Sequence, residues 1–225
     1  MIKWHTEEMT KCLRTSLSQH DSRKFYIPAP QHEETLMISK NILVASILGG
    51  IVLFLWGAFS HMVLPLGEVG LQGIPNEDQV LSALSTNIQG AGLYFFPWIS
   101  EQTDSDMAAW EEKYRTGPAG LLVYRPLGGE PMTAGMLLTE LVTDIIAALL
   151  GSLLMMKALS GLPTFGARVF FCTILGLFGS VLVNTQYWNW YGFPGDYTVA
   201  AILDDVIGFT FVGMVLSWKL RAKQA

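Results

Sequence analysis

The chain has 225 residues, of which 51% are hydrophobic and only 15% are charged, with a mean hydropathy of +0.37. Soluble domains carry about 25% charged residues, so this deficit is typical of a membrane protein. The net charge of −5 and the lack of a Lys/Arg stripe exclude a nucleic-acid-binding surface.

Residues 1–40 form a mixed polar tail, and its first 36 residues have neither a helical nor a strand period. His5, Cys12, His20 and His32 lie there, and their spacing fits no metal-binding module. We therefore expect a disordered cytoplasmic tail. A disulfide between Cys12 and Cys172 is not expected, because Cys172 lies in the middle of an apolar run.

Four apolar runs follow, at 41–64, 132–156, 169–188 and 199–218. Each has about 20 residues or more, the length that an α-helix needs to cross the hydrocarbon core of a bilayer. Because a backbone in lipid must satisfy its own hydrogen bonds, each run is predicted to be a helix. The first run is too long for a signal peptide and is expected to be retained. Translation begins either at Met1 or at Met37.

Lys and Arg are distributed unequally around these runs. Eleven of the fourteen lie in the tail, in the 157–168 loop or in the 219–225 tail, and only Lys113, Arg115 and Arg125 lie in the 65–131 segment. The positive-inside rule therefore predicts that both termini and the middle loop are cytoplasmic. The aromatic cluster YWNWYGFP, at the outer end of the third run and in the 189–198 loop, is typical of a membrane interface.

The 65–131 segment is acidic and is predicted to be a small extracytoplasmic α+β cap. Two helices are expected, one capped by Asn76 and one that ends at Gly117, with strands at GLYFFP and GLLVYRP. The fold class is thus an all-α membrane protein, a four-transmembrane-helix bundle with both termini inside and this cap between helices 1 and 2. Small residues four apart are expected at helix contacts, namely Ala45 with Gly49 and Gly176 with Ser180.

Four carboxylates lie inside the predicted spans: Glu140, Asp144, Asp204 and Asp205. An unpaired charge at a helix centre costs roughly 2.5–3.5 kcal/mol, and no Lys or Arg lies within any span to neutralise them. The one basic group inside a span is His61, and Asn184 is a polar neighbour near the outer end of the third span.

Helix geometry brings these groups to one level. Glu140 and Asp144 share a face of the second span, about two and three turns from its outer end. Asp204 and Asp205 lie about one and a half turns into the fourth span, and His61 about one turn from the end of the first. The sequence therefore predicts a candidate cation or proton site in the outer leaflet.

Four acids and one histidine cannot all be ionised in a dry site, so several resolutions are open. Some carboxyl groups stay protonated, or the cluster opens to water, or it holds a cation such as a divalent metal. The same residues also fit a pocket for a small molecule or lipid headgroup. Alternatively, the acids are hydrogen-bonded structural groups near the interface.

Catalytic motifs are absent from the sequence. We find no H-E-x-x-H, C-x-x-C, Walker A or G-x-S-x-G, so no motif requires a cofactor. Ser60 precedes His61 directly, but adjacent residues on a helix point about 100° apart. We therefore interpret that pair as a coincidence rather than a nucleophile and its base.

The segments WGAFSHMVLPLGEVG, GLYFFP, GPAGLLVYRPLGGEP and WNWYGFP follow one another in this order. They resemble segments of a group of uncharacterised bacterial multi-span proteins, and the likeness covers residues 41–218. The resemblance implies a bacterial inner-membrane location. It includes His61 and implies no role for it and no activity.

Three functions remain open at this point. The acidic cap and the missing catalytic motifs favour a non-catalytic accessory or scaffolding component. The cluster of acids favours a small transporter or a protein that handles protons or metal cations. A membrane enzyme acting at the outer leaflet is the third. The expected partners are the lipid bilayer and either another membrane protein or a second copy of the chain.

Overall fold

A computed structural model describes residues 40–99 and 103–220. In chain order the elements are α1 (Lys40–Met62), a 3₁₀ turn (Pro65–Glu68), α2 (Glu77–Asn87), β1 (Gly92–Phe96), α3 (Asp104–Thr116), β2 (Gly120–Tyr124), α4 (Ala134–Ala158), a second 3₁₀ turn (Leu159–Gly161), α5 (Phe165–Tyr191) and α6 (Gly195–Lys219). The predictions for the N-terminal tail, its histidines and Cys12, and for 221–225, fall outside the described residues.

The four long helices α1, α4, α5 and α6 are apolar and long enough to cross a membrane, as predicted. Their ends lie within four residues of the predicted limits. The largest differences are at the N-terminal ends of α5 and α6, which begin four residues earlier than the apolar runs. At α5 the reason is a cap, because the Thr164 hydroxyl accepts a hydrogen bond from the Ala167 amide.

This early start places Arg168 inside α5 rather than in the loop that the sequence predicted. Its side chain is buried and donates hydrogen bonds to the Leu220 carbonyl at 2.8 Å and to the Thr164 carbonyl at 3.2 Å. A cation on the last carbonyls of α6 also complements the helix dipole. Arg168 therefore joins the start of α5 to the end of α6.

The four spans alternate in direction. α1 lies between α4 and α6, and α5 packs on the other side of α6. Ser46, early in α1, donates a hydrogen bond to Ser152, late in α4, whereas Trp56, late in α1, donates to the backbone of Asp204, early in α6. Residues 63–133 therefore connect at one end of the bundle, here called the cap end, and the opposite end is called the terminal end.

Small residues bring the helices together, as predicted for Gly49 and Gly176. A Cβ at Gly50 would lie 2.5 Å from the Ile145 Cα, and one at Gly176 would lie 2.6 Å from the Phe209 Cβ. The apolar core of the described residues lies around and below this level, toward the terminal end, and includes Ala45, Ala148, Met155, Cys172, Val212 and Leu216.

The cap consists of a two-stranded sheet and two helices; the sequence predicted both strands and both helices but not the pairing of the strands. β1 and β2 pair antiparallel, from Gly92 opposite Tyr124 to Phe96 opposite Gly120. None of the residues described between 63 and 133 is buried, so this segment has no core of its own. Asn76 is the N-cap residue of α2, as predicted, but it is left-handed at φ 54° and its side chain makes no capping hydrogen bond.

The close approach of α1 to α4 gives a first test. We expect Gly50→Ala to lower bundle stability by about 1–3 kcal/mol, because the new methyl group overlaps the Ile145 backbone. The matched control is Gly57→Ala on the same helix, where an added Cβ meets nothing within 4 Å. Thermal unfolding of both variants in detergent checks this, and equal stability of the two would contradict the described contact.

Candidate functional site: an acidic cavity at the cap end

A cavity of about 500 Å³ lies among α1, α4 and α6 in the half of the bundle nearer the cap end. The five residues predicted for the cation or proton site all line it: His61, Glu140, Asp144, Asp204 and Asp205. The structure thus brings together on three helices what the sequence placed at a similar level. We call this space the acidic cavity.

Asp144 and Asp204 lie at similar positions along α4 and α6. Because α6 begins at Gly195 and α4 at Ala134, Asp204 and Asp144 both lie about 14–15 Å along their helices. The sequence estimate of one and a half turns for Asp204 counted from the start of the apolar run at Val199, four residues after the first helical residue. The two carboxylates therefore lie at similar distances from the cap ends of their helices.

Asp144 is the most enclosed acid of the cavity. Its relative exposure is 8%, and it forms neither a hydrogen bond nor an ion pair with any residue that the structure describes. Its nearest charged neighbour on α4 is Glu140, one turn closer to the cap end and exposed. A carboxyl group in this position costs free energy unless water or a ligand in the cavity satisfies it.

Asp204 is partly satisfied. Its Oδ2 atom lies 3.8 Å from the His61 Nδ1 atom, a contact that is ionic only when the imidazole is protonated. Its Oδ1 atom is buried and has no hydrogen-bond partner among the residues described. One oxygen of this carboxylate therefore faces the imidazole, while the other is enclosed without a hydrogen-bond partner.

Asp205 is held by α5. Its Oδ2 atom accepts a hydrogen bond from the Ser180 hydroxyl at 2.6 Å, and the Ser180 oxygen accepts one from the Asn184 amide at 3.0 Å. Asn184 does not line the acidic cavity but reaches it through this relay. The sequence assigned Ser180 only to helix packing, and its spacing from Asn184, i to i+4, is the signal that could have linked the two.

His61 lies at the last turn of α1 with 56% of its side chain exposed. Its Nδ1 atom lies 2.9 Å from the Ser60 hydroxyl and 3.1 Å from the Gly57 carbonyl. Because both the carbonyl and the Asp204 carboxylate can only accept, the Nδ1 atom is the one that carries a proton. The ring packs against Gly67, where a Cβ would lie 2.5 Å from the His61 Cδ2 atom.

The sequence did not predict a contact between Ser60 and His61, yet the two side chains are in hydrogen-bonding distance. The hydroxyl is nevertheless fully buried, and it also donates to the Gly57 carbonyl at 3.1 Å. A nucleophile has to reach its substrate, whereas this hydroxyl is enclosed. Ser60 therefore orients the imidazole and does not attack.

The remaining walls of the acidic cavity are apolar or aromatic and include Leu53, Phe54, Trp56, Leu137 and Phe209. No Lys or Arg is among the described residues that line it. Within 40–99 and 103–220, no group of three or more His, Cys, Asp or Glu side chains is arranged to hold a metal ion. The arrangement is a large acidic space with an aromatic wall rather than a compact chelating centre.

The exposure of the cavity to water can be measured by thiol labelling. We expect Ala58→Cys, which lines the acidic cavity, to react at least about tenfold faster with a cationic methanethiosulfonate than Phe59→Cys, which does not line it. Carboxylates attract the reagent, whereas lipid excludes it. Both native cysteines are first replaced by alanine.

The comparison is conservative, because position 59 is one residue nearer the cap end and 46% exposed. Depth alone would therefore favour Phe59→Cys. Equal rates, or a faster reaction at position 59, would contradict a water-filled acidic cavity.

The comparisons with known proteins add no further constraint. No family model, no curated protein and no solved structure matches this chain. The resemblance over residues 41–218 therefore stays an expectation, and the case for a function depends on the geometry of the acidic cavity.

Proposed function

We propose that the protein binds an organic cation in the acidic cavity and works as a small membrane transporter for it. The observation that carries this proposal is Asp144, a residue of 8% relative exposure that lines the acidic cavity and whose carboxylate has no hydrogen-bond or ion-pair partner among the described residues. A group that costs stability where it stands is typical of a site whose partner is a ligand.

The size and lining of the cavity favour an organic cation over a bare ion. Small-molecule pockets are about 300–1,000 Å³ with mostly apolar walls and a few polar groups, and the acidic cavity of about 500 Å³ fits that range. Trp56 and Phe209 provide rings for a cation, an interaction of about 0.5–2 kcal/mol. The absence of a chelating group in the described residues argues against a divalent metal.

The core favours access from one end at a time. A Cβ at Gly49 would lie 3.1 Å from the Ala148 Cβ and 3.5 Å from Val212, so the space between α4 and α6 is filled toward the terminal end. We therefore expect access to the acidic cavity from the cap end. Four spans are few for alternating access, so we expect a second copy of the chain to complete the transporter.

Asp144 also separates this proposal from an accessory or scaffolding role. A structural acid would be expected to hold other helices by hydrogen bonds, as Asp205 does through Ser180. Asp144 makes no such bond with any described residue. The accessory role stays a prediction, as does an enzyme at the outer leaflet.

For the orientation, we propose that the terminal end is cytoplasmic and that the membrane is a bacterial inner membrane. Among the described residues of the four spans, the cations are Lys40, Lys157, Arg168 and Lys219, all of them at the terminal end. The positive-inside rule favours this end as the cytoplasmic one. The bacterial location derives from the resemblance alone.

Binding is tested with tetraphenylphosphonium, a cation with an apolar body, on the full-length protein in nanodiscs. We expect Asp144→Asn to weaken its affinity by about tenfold or more, which corresponds to about 1.4 kcal/mol or more of lost attraction. Equilibrium dialysis measures the affinity, with empty nanodiscs to subtract partitioning into lipid.

Two controls isolate the charge of the cavity. Tetraphenylborate has nearly the same shape and the opposite charge, so we expect no saturable binding of it. Glu130→Gln makes the same change in net charge outside the cavity and should bind tetraphenylphosphonium like the wild type. Equal affinities of wild type and Asp144→Asn would refute the proposed function, provided that both variants unfold at similar temperatures.

Orientation has its own test. A single cysteine placed after Ala225, in a chain without its native cysteines, should react with a membrane-impermeant maleimide only after cells are opened. A second cysteine at Leu127, which is 97% exposed in the cap, should react in spheroplasts, the intact cells without their outer membrane. The reverse result would invert the proposed orientation.

A further inference from the structure

A second concave surface lies away from the acidic cavity, between the two-stranded sheet of the cap and the end of α5. It encloses about 800 Å³, and its walls include Leu93, Phe95, Trp98, Leu121, Trp190 and Tyr191. None of these side chains carries a formal charge. We call it the aromatic groove.

The two-stranded sheet that forms one wall is apolar on both faces. Leu93 and Val123 lie opposite each other in the ladder, share one face, and are 65% and 71% exposed. On the other face the Tyr94 and Tyr124 rings meet edge to face at 6.5 Å. A two-stranded sheet is only marginally stable in water unless a hydrophobic face is covered, and here no described cap residue is buried.

The other wall fixes the height of the groove relative to the membrane. α5 has 27 residues, which gives a length of about 40 Å, longer than a hydrocarbon core of about 30 Å. Its last turn carries Trp190 and Tyr191, 71% and 44% exposed. Trp and Tyr concentrate at the headgroup level, so the groove is continuous with the lipid-facing surface of the bundle at that level.

The open edges of the two-stranded sheet limit how deep it can lie in the membrane. Each edge strand presents unpaired backbone N–H and C=O groups, and such edges do not occur within the hydrocarbon region. At the interface, in contrast, water and headgroups satisfy them while the side chains reach the upper acyl chains. This accounts for a segment that combines exposed apolar faces with exposed backbone.

We infer that the cap lies on the bilayer and that the aromatic groove binds the glycerol and upper acyl region of a bilayer phospholipid. Residues 65–131 carry nine acidic and three basic residues, so the cap repels anionic headgroups and favours zwitterionic ones. The lipid replaces the missing core of this segment. This inference is independent of the cation proposed for the acidic cavity.

Spin labels test it on the full-length protein in vesicles of palmitoyl-oleoyl phosphatidylcholine, with the native cysteines replaced. We expect a nitroxide at Val123→Cys to be relaxed by oxygen, which concentrates in lipid, at least about threefold more than by a neutral nickel chelate, which stays in water. A label at Lys113→Cys, exposed on α3, should show the reverse preference.

A third variant tests the groove itself. Val123→Cys combined with Trp98→Ser and Trp190→Ser should become accessible to the nickel chelate, because two amphipathic anchors are lost. If the label at Val123→Cys were accessible to the nickel chelate with both tryptophans in place, the inference would be overturned, since the two-stranded sheet would then lie in water. Dipolar broadening between labels on separate copies would overturn it too, because a second copy would then cover the face.

Discussion

The approach of α1 to its two neighbours determines most of what this bundle can do. At Gly49 and Gly50 the helix surface is bare, and α4 contacts it so closely that a methyl group at Gly50 would overlap the Ile145 backbone. At Gly208 the same happens from the side of α6, where a Cβ would lie 2.7 Å from Leu53. Lipid supplies no hydrophobic force between helices, so such close van der Waals contact is the main attraction available.

The same contact divides the bundle into two halves with different roles. Toward the terminal end, small and apolar residues fill the space and form the core, whereas toward the cap end the walls turn acidic and enclose a cavity. The half toward the terminal end stabilises the bundle. The half toward the cap end lowers its stability, because Asp144 and one oxygen of Asp204 lack partners among the described residues. Proteins commonly concentrate such costs where a ligand acts.

Much of the fold could be predicted from the sequence because the dominant signals are local. Apolar length gave the four spans, Gly and Pro bounded the strands, and helical spacing put Glu140 and Asp144 on one face. The starts of α5 and α6 were missed, because a Thr cap and a Pro-led first turn extend these helices beyond their apolar runs. Which helices would be neighbours depends on contacts between distant residues, and one sequence carries no record of these.

The site was predictable as a set of residues and not as a geometry. Charge inside an apolar run is conspicuous, so His61 and the four acids could be named, and Asn184 with them. Trp56 and Gly67 are ordinary residues for a membrane protein and gained meaning only from what they contact. The contact between Ser60 and His61 was likewise not predicted, because helical angles describe Cβ directions and not the reach of a hydroxyl to an adjacent ring.

The hydrogen bond from Ser180 to Asp205 couples the binding of a ligand in the acidic cavity to the packing of α5 against α6. A ligand that attracts the same carboxylate oxygen must compete with a hydroxyl that belongs to another helix. Whatever free energy it gains there is reduced by what α5 and α6 lose. The coupling is reciprocal: the factor by which the ligand weakens the packing of α5 against α6 is the factor by which that packing weakens the binding of the ligand. One oxygen atom thereby links the contents of the cavity to the position of a helix whose far turn carries two interfacial aromatic residues.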